Sequence, residues 1–181
     1  MKKLVLLIVT IVVFLLLCSC ANGGEPVYLF KPDEVMAEEM LDRLLTAMQE
    51  DDAKTLKSLF SDSAIATSKD FDADVSELLE YFDGKVVSVN TEFAPCNSDK
   101  MTGDHVEYTK LYPSYDVTTD KQTYRICFEY ITEHVYEPNK IGVNSFYIIK
   151  FNDDCSPECT YWGDGKDTPG INIGIPRITE D

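Results

Sequence analysis

Hydrophobic residues follow three different periods along the chain. From Leu4 to Leu17 they form a nearly unbroken run, interrupted only by Thr10, behind the positive pair Lys2 and Lys3. From Met36 they recur at three- and four-residue spacings. Met36, Met40, Leu41, Leu44, Leu45 and Met48 make one apolar stripe, which predicts an amphipathic helix opened by Pro32-Asp33. Asp51-Asp52 supplies an N-cap for a second, short helix in which Leu56, Leu59 and Phe60 share a face. A third helix is predicted from about Ala73 to Asp83. There Asp74 and Glu77 have capping-box spacing, Val75, Leu78, Leu79 and Phe82 face inward, and Gly84 follows the end.

Beyond Lys85 the period falls to two, the spacing of strands. Val87, Val89, Thr91 and Phe93 line one side of a first strand, and the polar stretch from Cys96 to Asp104 interrupts. His105 to Val117 reads as a long aromatic strand, with Pro113 implying a bulge or an edge. After a turn at Thr119–Gln122, Tyr124, Ile126, Phe128 and Tyr130 alternate with polar neighbours. Pro138-Asn139 turns again, and Val143, Tyr147, Ile149 and Phe151 share the next face. Asn152-Asp153-Asp154 turns once more before a short strand at Thr160-Tyr161-Trp162, and Ile171, Ile173 and Ile175 alternate as a docking edge strand. Helices followed by meandering strands predict an α+β fold, with three N-terminal helices packed on one face of an antiparallel sheet.

The leading apolar run is fourteen residues long. Crossing a bilayer core takes roughly 20 apolar residues, so a charged start followed by so short a run reads as a secretory signal. The run ends in Leu17-Cys18-Ser19-Cys20, which resembles the lipobox of bacterial lipoproteins. That resemblance implies cleavage before Cys20, loss of Cys18 with the leader, and a diacylglycerol on the Cys20 thiol. Two acyl chains anchor a protein firmly where one does so marginally. The organisation expected is therefore a signal peptide at 1–19, a lipid-anchored tether at 20–32 and one α+β domain at 33–181. Eleven extended tether residues, Ala21 to Lys31, reach at most about 40 Å, which holds the domain near the extracytoplasmic face of the membrane.

Two stretches carry further likenesses. Leu44 to Ser61, with its acidic turn and Leu59-Phe60, resembles the opening of the cone-shaped folds of the nuclear-transport-factor-two-like superfamily. There the helices lie inside a strongly curved sheet. Tyr161 to Pro176, together with Lys140 to Lys150, resembles a family of Firmicutes lipoproteins known as domain of unknown function 5104. The likeness covers about Val35 to Pro176. It implies a fold and an address, and it carries no catalytic residue.

Charge narrows the function classes. The chain carries a formal charge of −16, and loss of the leader with its two lysines makes it −18. Phosphate binding needs clustered Lys and Arg, and none is present, so a nucleic-acid partner is excluded. The acidic run Asp70-Phe71-Asp72-Ala73-Asp74 fails as an EF-hand loop, because the sixth and twelfth places hold Val75 and Tyr81. Helix capping by Asp72 or Asp74 accounts for it better. Besides Cys18 and Cys20 there are Cys96, Cys127, Cys155 and Cys159. The reading favours reduced thiols, then a Cys155–Cys159 bridge across a turn, and places metal last, so no metal and no cofactor are expected.

A cone-shaped sheet leaves a hollow, and aromatic-lined hollows hold ligands. Tyr108, Tyr124, Tyr130, Tyr161 and Trp162 are the candidate lining, with Asp164 in the Gly-rich loop Gly163–Gly170 at the rim; Tyr112 and Tyr147 belong to the same pool. His105 and His134 are the two histidines. Each adjoins an acidic residue in sequence, but neighbours on a strand point to opposite faces, so neither pair is a ready dyad. The sequence therefore favours a non-catalytic module that binds a small ligand or an envelope protein. The alternative is a small cofactor-free isomerase, dehydratase or hydrolase using His105 or His134 with a buried Asp or Tyr. A third class is a self-assembling module in which the outer face of the sheet makes a homodimer.

Overall fold

The computed structural model of the chain describes residues 31–153 and 168–174. The leader, Cys20 and most of the tether lie outside these residues, as do Cys155, Cys159, Thr160–Trp162, Asp164 and Ile175. Four helices come first: α1 (Asp33–Gln49), α2 (Ala53–Ser58), α3 (Asp62–Thr67) and α4 (Phe71–Tyr81). Five strands follow in one sheet of order β1-β2-β3-β4-β5, namely β1 (Val86–Thr102), β2 (His105–Thr119), β3 (Thr123–His134), β4 (Gly142–Lys150) and β5 (Gly170–Ile173). The first four form an antiparallel meander, and β5 adds parallel to β4. The fold is α+β with an open sheet.

Helix α1 buries the stripe its spacing predicts, with Met40, Leu41, Leu44, Leu45 and Met48 in the core. Asp52 caps α2 by accepting the Thr55 N–H at 2.9 Å. Three helices are predicted before the sheet, and the described residues hold four. The additional one, α3, begins where Ser61 Oγ accepts the Ala64 N–H at 3.0 Å. Its six residues are too few for a helical period to show in sequence. The cap of α4 also differs from expectation. Asp70 accepts the Ala73 N–H, so the helix starts at Phe71, and Asp74 instead accepts from the Ser68 hydroxyl. Phe71 is thereby carried into the core, edge-on to Phe60 with ring centroids 5.0 Å apart.

The helices cover one face of the sheet. On it lie Tyr115 and Val117 of β2, Tyr124, Ile126 and Phe128 of β3, and Phe146 and Ile148 of β4, all in one core with α1, α2 and α4. The alternation predicted for β3 is the one observed. On β4 the expected face is inverted: Phe146 and Ile148 meet the helices, while Tyr147 and Ile149 belong to the other face. Val143 still reaches the core because the β3–β4 register shifts between Glu129 and Tyr130. A bulge adds a residue and swaps the faces beyond it.

The predicted break at Cys96–Asp104 is absent. Strand β1 runs through to Thr102 and closes a two-residue hairpin at Gly103-Asp104, with Gly103 at φ 63°. Cross-strand pairing with His105–Tyr112 outweighs the low strand propensity of this polar segment. A register shift between Thr91 and Phe93 sets Phe93 opposite Ser114, off the face shared by Val89 and Thr91.

Candidate functional site

Both histidines lie at the end of the sheet formed by the β1–β2 hairpin and the end of β3. His105 opens β2 opposite Thr102, and His134 closes β3 opposite Tyr108. Beside His105 is a cleft of about 450 Å³ walled by Asp104, His105, Glu107, Glu133 and Tyr136, with Thr102, Val106 and Val135. Glu107 is fixed there: Lys100 donates to one carboxylate oxygen at 2.9 Å and the Thr102 hydroxyl to the other at 2.8 Å. The hydrogen bond from Lys100, then that from Thr102, holds the Glu107 carboxyl below its ordinary range. An ionised acid thus stands in the wall at neutral pH.

The two imidazoles differ. The His105 ring is exposed and has no side-chain hydrogen bond or ion pair among the described residues. His134 is buried, contrary to its placement at a strand end, and stacks on Tyr108 with centroids 5.5 Å apart. Its Nδ1 accepts the Glu137 N–H at 3.1 Å, which puts the proton of the neutral ring on Nε2. That nitrogen faces the Glu137 carboxylate at 3.5 Å. Both nitrogens are therefore turned to one residue just after the strand, and the ring pins the exit of β3. Lys110 extends the stack, its ammonium 5.3 Å from the Tyr108 ring and 3.2 Å from Glu129.

The sheet face away from the helices carries a second polar group. Arg125 bridges Glu92 at 2.8 Å and Asp116 at 2.9 Å, and the Ser114 hydroxyl donates to Glu92 at 2.9 Å. The Cys127 thiol is buried beside them, on the same face as Ser114 and Tyr147. The Tyr147 hydroxyl accepts the Thr168 N–H at 2.6 Å, and Asn172 donates back to the Thr168 carbonyl at 2.9 Å, so this face holds the start of β5 in place. These contacts are structural pairings between ladder neighbours. Among the described residues, no group of three or more His, Cys, Asp or Glu side chains is placed to hold a metal ion.

Of the aromatic residues offered as a ligand lining, Tyr124 is fully buried in the core against Phe82, and Tyr130 packs partly buried against the same core. Tyr108 lies in the His134 stack at the sheet end. Tyr161, Trp162 and Asp164 lie outside the described residues. The cleft residues Glu107 and Tyr136 go unnoticed in the sequence, and Glu133 is noticed only as the neighbour of His134, because the pairing of β2 with β1 and β3 is what brings them to His105. Tyr115 is missed too. It is 1% exposed, its hydroxyl has no hydrogen-bond partner among the described residues, and burial, then Glu38 and Asp42, pushes its phenol well above the ordinary value.

An α+β domain with an acid-walled cleft at one sheet end is the class that fold and site define. Residues 43–151 match the family described as Domain of unknown function (DUF5104), and the chain belongs to that family. No curated protein matches it. No helix among the described residues is long and apolar enough to cross a membrane.

Proposed function

We propose that this protein is a lipid-anchored, extracytoplasmic binding module that takes a small polar or cationic ligand in the cleft at the His105 end of its sheet. The observation that carries the reading is the cleft itself. It offers about 450 Å³, within the range of ligand sites, and Asp104, Glu107 and Glu133 converge on it beside an imidazole and the Tyr136 phenol. Three acids with Glu107 held ionised favour a positive ligand, and the phenol gives such a ligand an aromatic face. Binding is favoured over catalysis because His134 is engaged on both nitrogens by Glu137, while His105 has no orienting partner among the described residues. The helix-covered sheet is consistent with a cone of the nuclear-transport-factor-two-like kind, and the lipobox-like Cys20 supports the membrane address.

Thermal unfolding of the full chain in detergent, against a panel of amines, amino sugars and cationic peptides, tests the site. A true ligand at a hundredfold excess over its Kd stabilises by about 2.7 kcal/mol. Glu107→Gln and Glu133→Gln should each abolish that shift. A stabilising ligand whose effect survives both substitutions would move the site elsewhere, and a panel with no stabilising member would refute the reading. The address is checked by the mass of natively expressed protein, which should carry diacylglycerol on Cys20. A free amino terminus without lipid mass would overturn it.

A further inference from the structure

His134 does not wall the cleft, although its neighbours Glu133 and Val135 both do. The wall continues from Val135 to Tyr136, which are 56% and 66% exposed, so little packing holds them. Two hydrogen bonds hold the segment instead. The Val135 N–H donates to the Glu107 carbonyl at 2.8 Å, and the Glu137 N–H donates to His134 Nδ1 at 3.1 Å. The first joins two backbone groups, and no change of pH touches it. The second exists only while Nδ1 keeps its lone pair, because a protonated imidazole donates from both nitrogens.

We propose that His134 is a proton-operated latch on the cleft: the neutral ring holds Val135–Glu137 in the wall, and protonation at Nδ1 releases that segment and with it the ligand. The regulation rests on the reading of the cleft as the binding site; the movement of the wall does not. The ring has counter-charge for its protonated form. The Glu137 carboxylate lies 3.5 Å from Nε2, and Glu107 of β2 is near enough to feel a charge on the ring. Lys140 bonds Glu137 at 2.8 Å, Lys100 bonds Glu107 at 2.9 Å, and these bonds hold both carboxyls below their ordinary range. Both acids therefore stay ionised between pH 5 and 8, the span in which imidazoles ordinarily change charge. The other groups around the ring are Tyr108, stacked on it from β2, Lys110 over the Tyr108 ring, and Glu133 next to it on β3. Protonation sets the new Nδ1–H head to head with the Glu137 N–H. The exposed segment relieves that mismatch by moving away.

Nuclear magnetic resonance of the isotope-labelled full chain in detergent, followed from pH 8 to pH 5, tests the latch. At pH 8 the His134 ring should be the Nε2–H tautomer and the Glu137 amide protected from hydrogen exchange. As the ring takes up its proton, the protection factor at Glu137 should fall about tenfold, the worth of one ordinary hydrogen bond, and the Tyr136 signals should move with the same midpoint. His134→Asn keeps an acceptor near the Nδ1 position and cannot be protonated, while His105 and the cleft acids titrate as before. Its Glu137 amide should therefore hold one protection factor across the range. A His134 ring that stays neutral to pH 5, or that titrates while the Glu137 amide stays protected, overturns the proposal. So does a His134→Asn chain whose Glu137 amide still loses protection at the wild-type midpoint, because another group would then move the wall. These outcomes are separate from those of the ligand panel, whose failure would refute the site and leave the response of the wall in place.

Discussion

The Tyr124 hydroxyl accepts the Asp83 N–H at 2.7 Å and donates to the Tyr81 carbonyl at 3.0 Å, and Gln122 also bonds it. One side chain on β3 thereby satisfies backbone groups that the end of α4 leaves without helical partners. Tyr124→Phe keeps the ring against Phe82 and strands those groups, so it should cost about 1–3 kcal/mol. Tyr115 offers the opposite case, since its buried hydroxyl has no partner among the described residues. Tyr115→Phe should be neutral or stabilising, because it removes a desolvated polar atom and keeps the ring stacked on Phe128. Urea midpoints of the two variants check the pair. Equal losses would show that ring packing, and not hydroxyl satisfaction, sets both. Nothing in sequence separates these two tyrosines: both sit at inward positions of alternating strands, and only the end of α4 gives one of them partners.

At the scale of elements, β4 begins by docking on the chain between α2 and α3. The Ser61 N–H donates to the Val143 carbonyl and the Val143 N–H to the Leu59 carbonyl, each at 2.9 Å. That approach needs Gly142, which has φ 124° and stands so close that a Cβ would meet the Ser61 nitrogen at 2.9 Å. Gly142→Ala should therefore destabilise by more than backbone strain alone, which is of order 1–3 kcal/mol. Gly103, at φ 63° in the hairpin turn, has nothing within 4 Å of the position a Cβ would take, so Gly103→Ala should cost only the left-handed strain of roughly 1–2 kcal/mol. Denaturant titration distinguishes them, and a smaller loss at Gly142 than at Gly103 would contradict the packing account. The elements themselves are unevenly legible. The stripe of α1 and the alternation of β3 stand in the sequence because each element buries one regular face. The swapped faces of β4 and of Phe93 do not, because a bulge is a property of two paired strands.

For the whole molecule, 32 acidic residues against 16 basic ones set the balance. Like-charge repulsion works against the compact state, and salt screens it with a Debye length of about 10 Å at 0.1 M. The melting temperature at neutral pH should therefore rise with moderate salt. Mild acidification relieves the same repulsion until carboxylates that the fold keeps ionised are protonated. Asp52 is lowered first by its side-chain bond to Thr55, Glu107 by Lys100 and Glu137 by Lys140. A lowered carboxyl adds stability that is fully present above its unfolded value and is lost as pH falls through its folded one. With ordinary values of 3.8 for Asp and 4.5 for Glu, stability should peak on the acid side of neutrality and fall below that range. Melting curves that decline steadily from neutral pH, or that ignore salt, would contradict this.

Local periodicity in the sequence was sufficient for the α+β class, the inward face of α1 and the core row Tyr124, Ile126 and Phe128, because burial imposes a period on each element separately. The continuity of β1 through Cys96–Thr102, the burial of His134 and the cleft around His105 and Glu107 were decided only by tertiary structure. Each depends on which strand lies beside which and in what register. That information is shared between segments distant in the chain, and no single segment carries it.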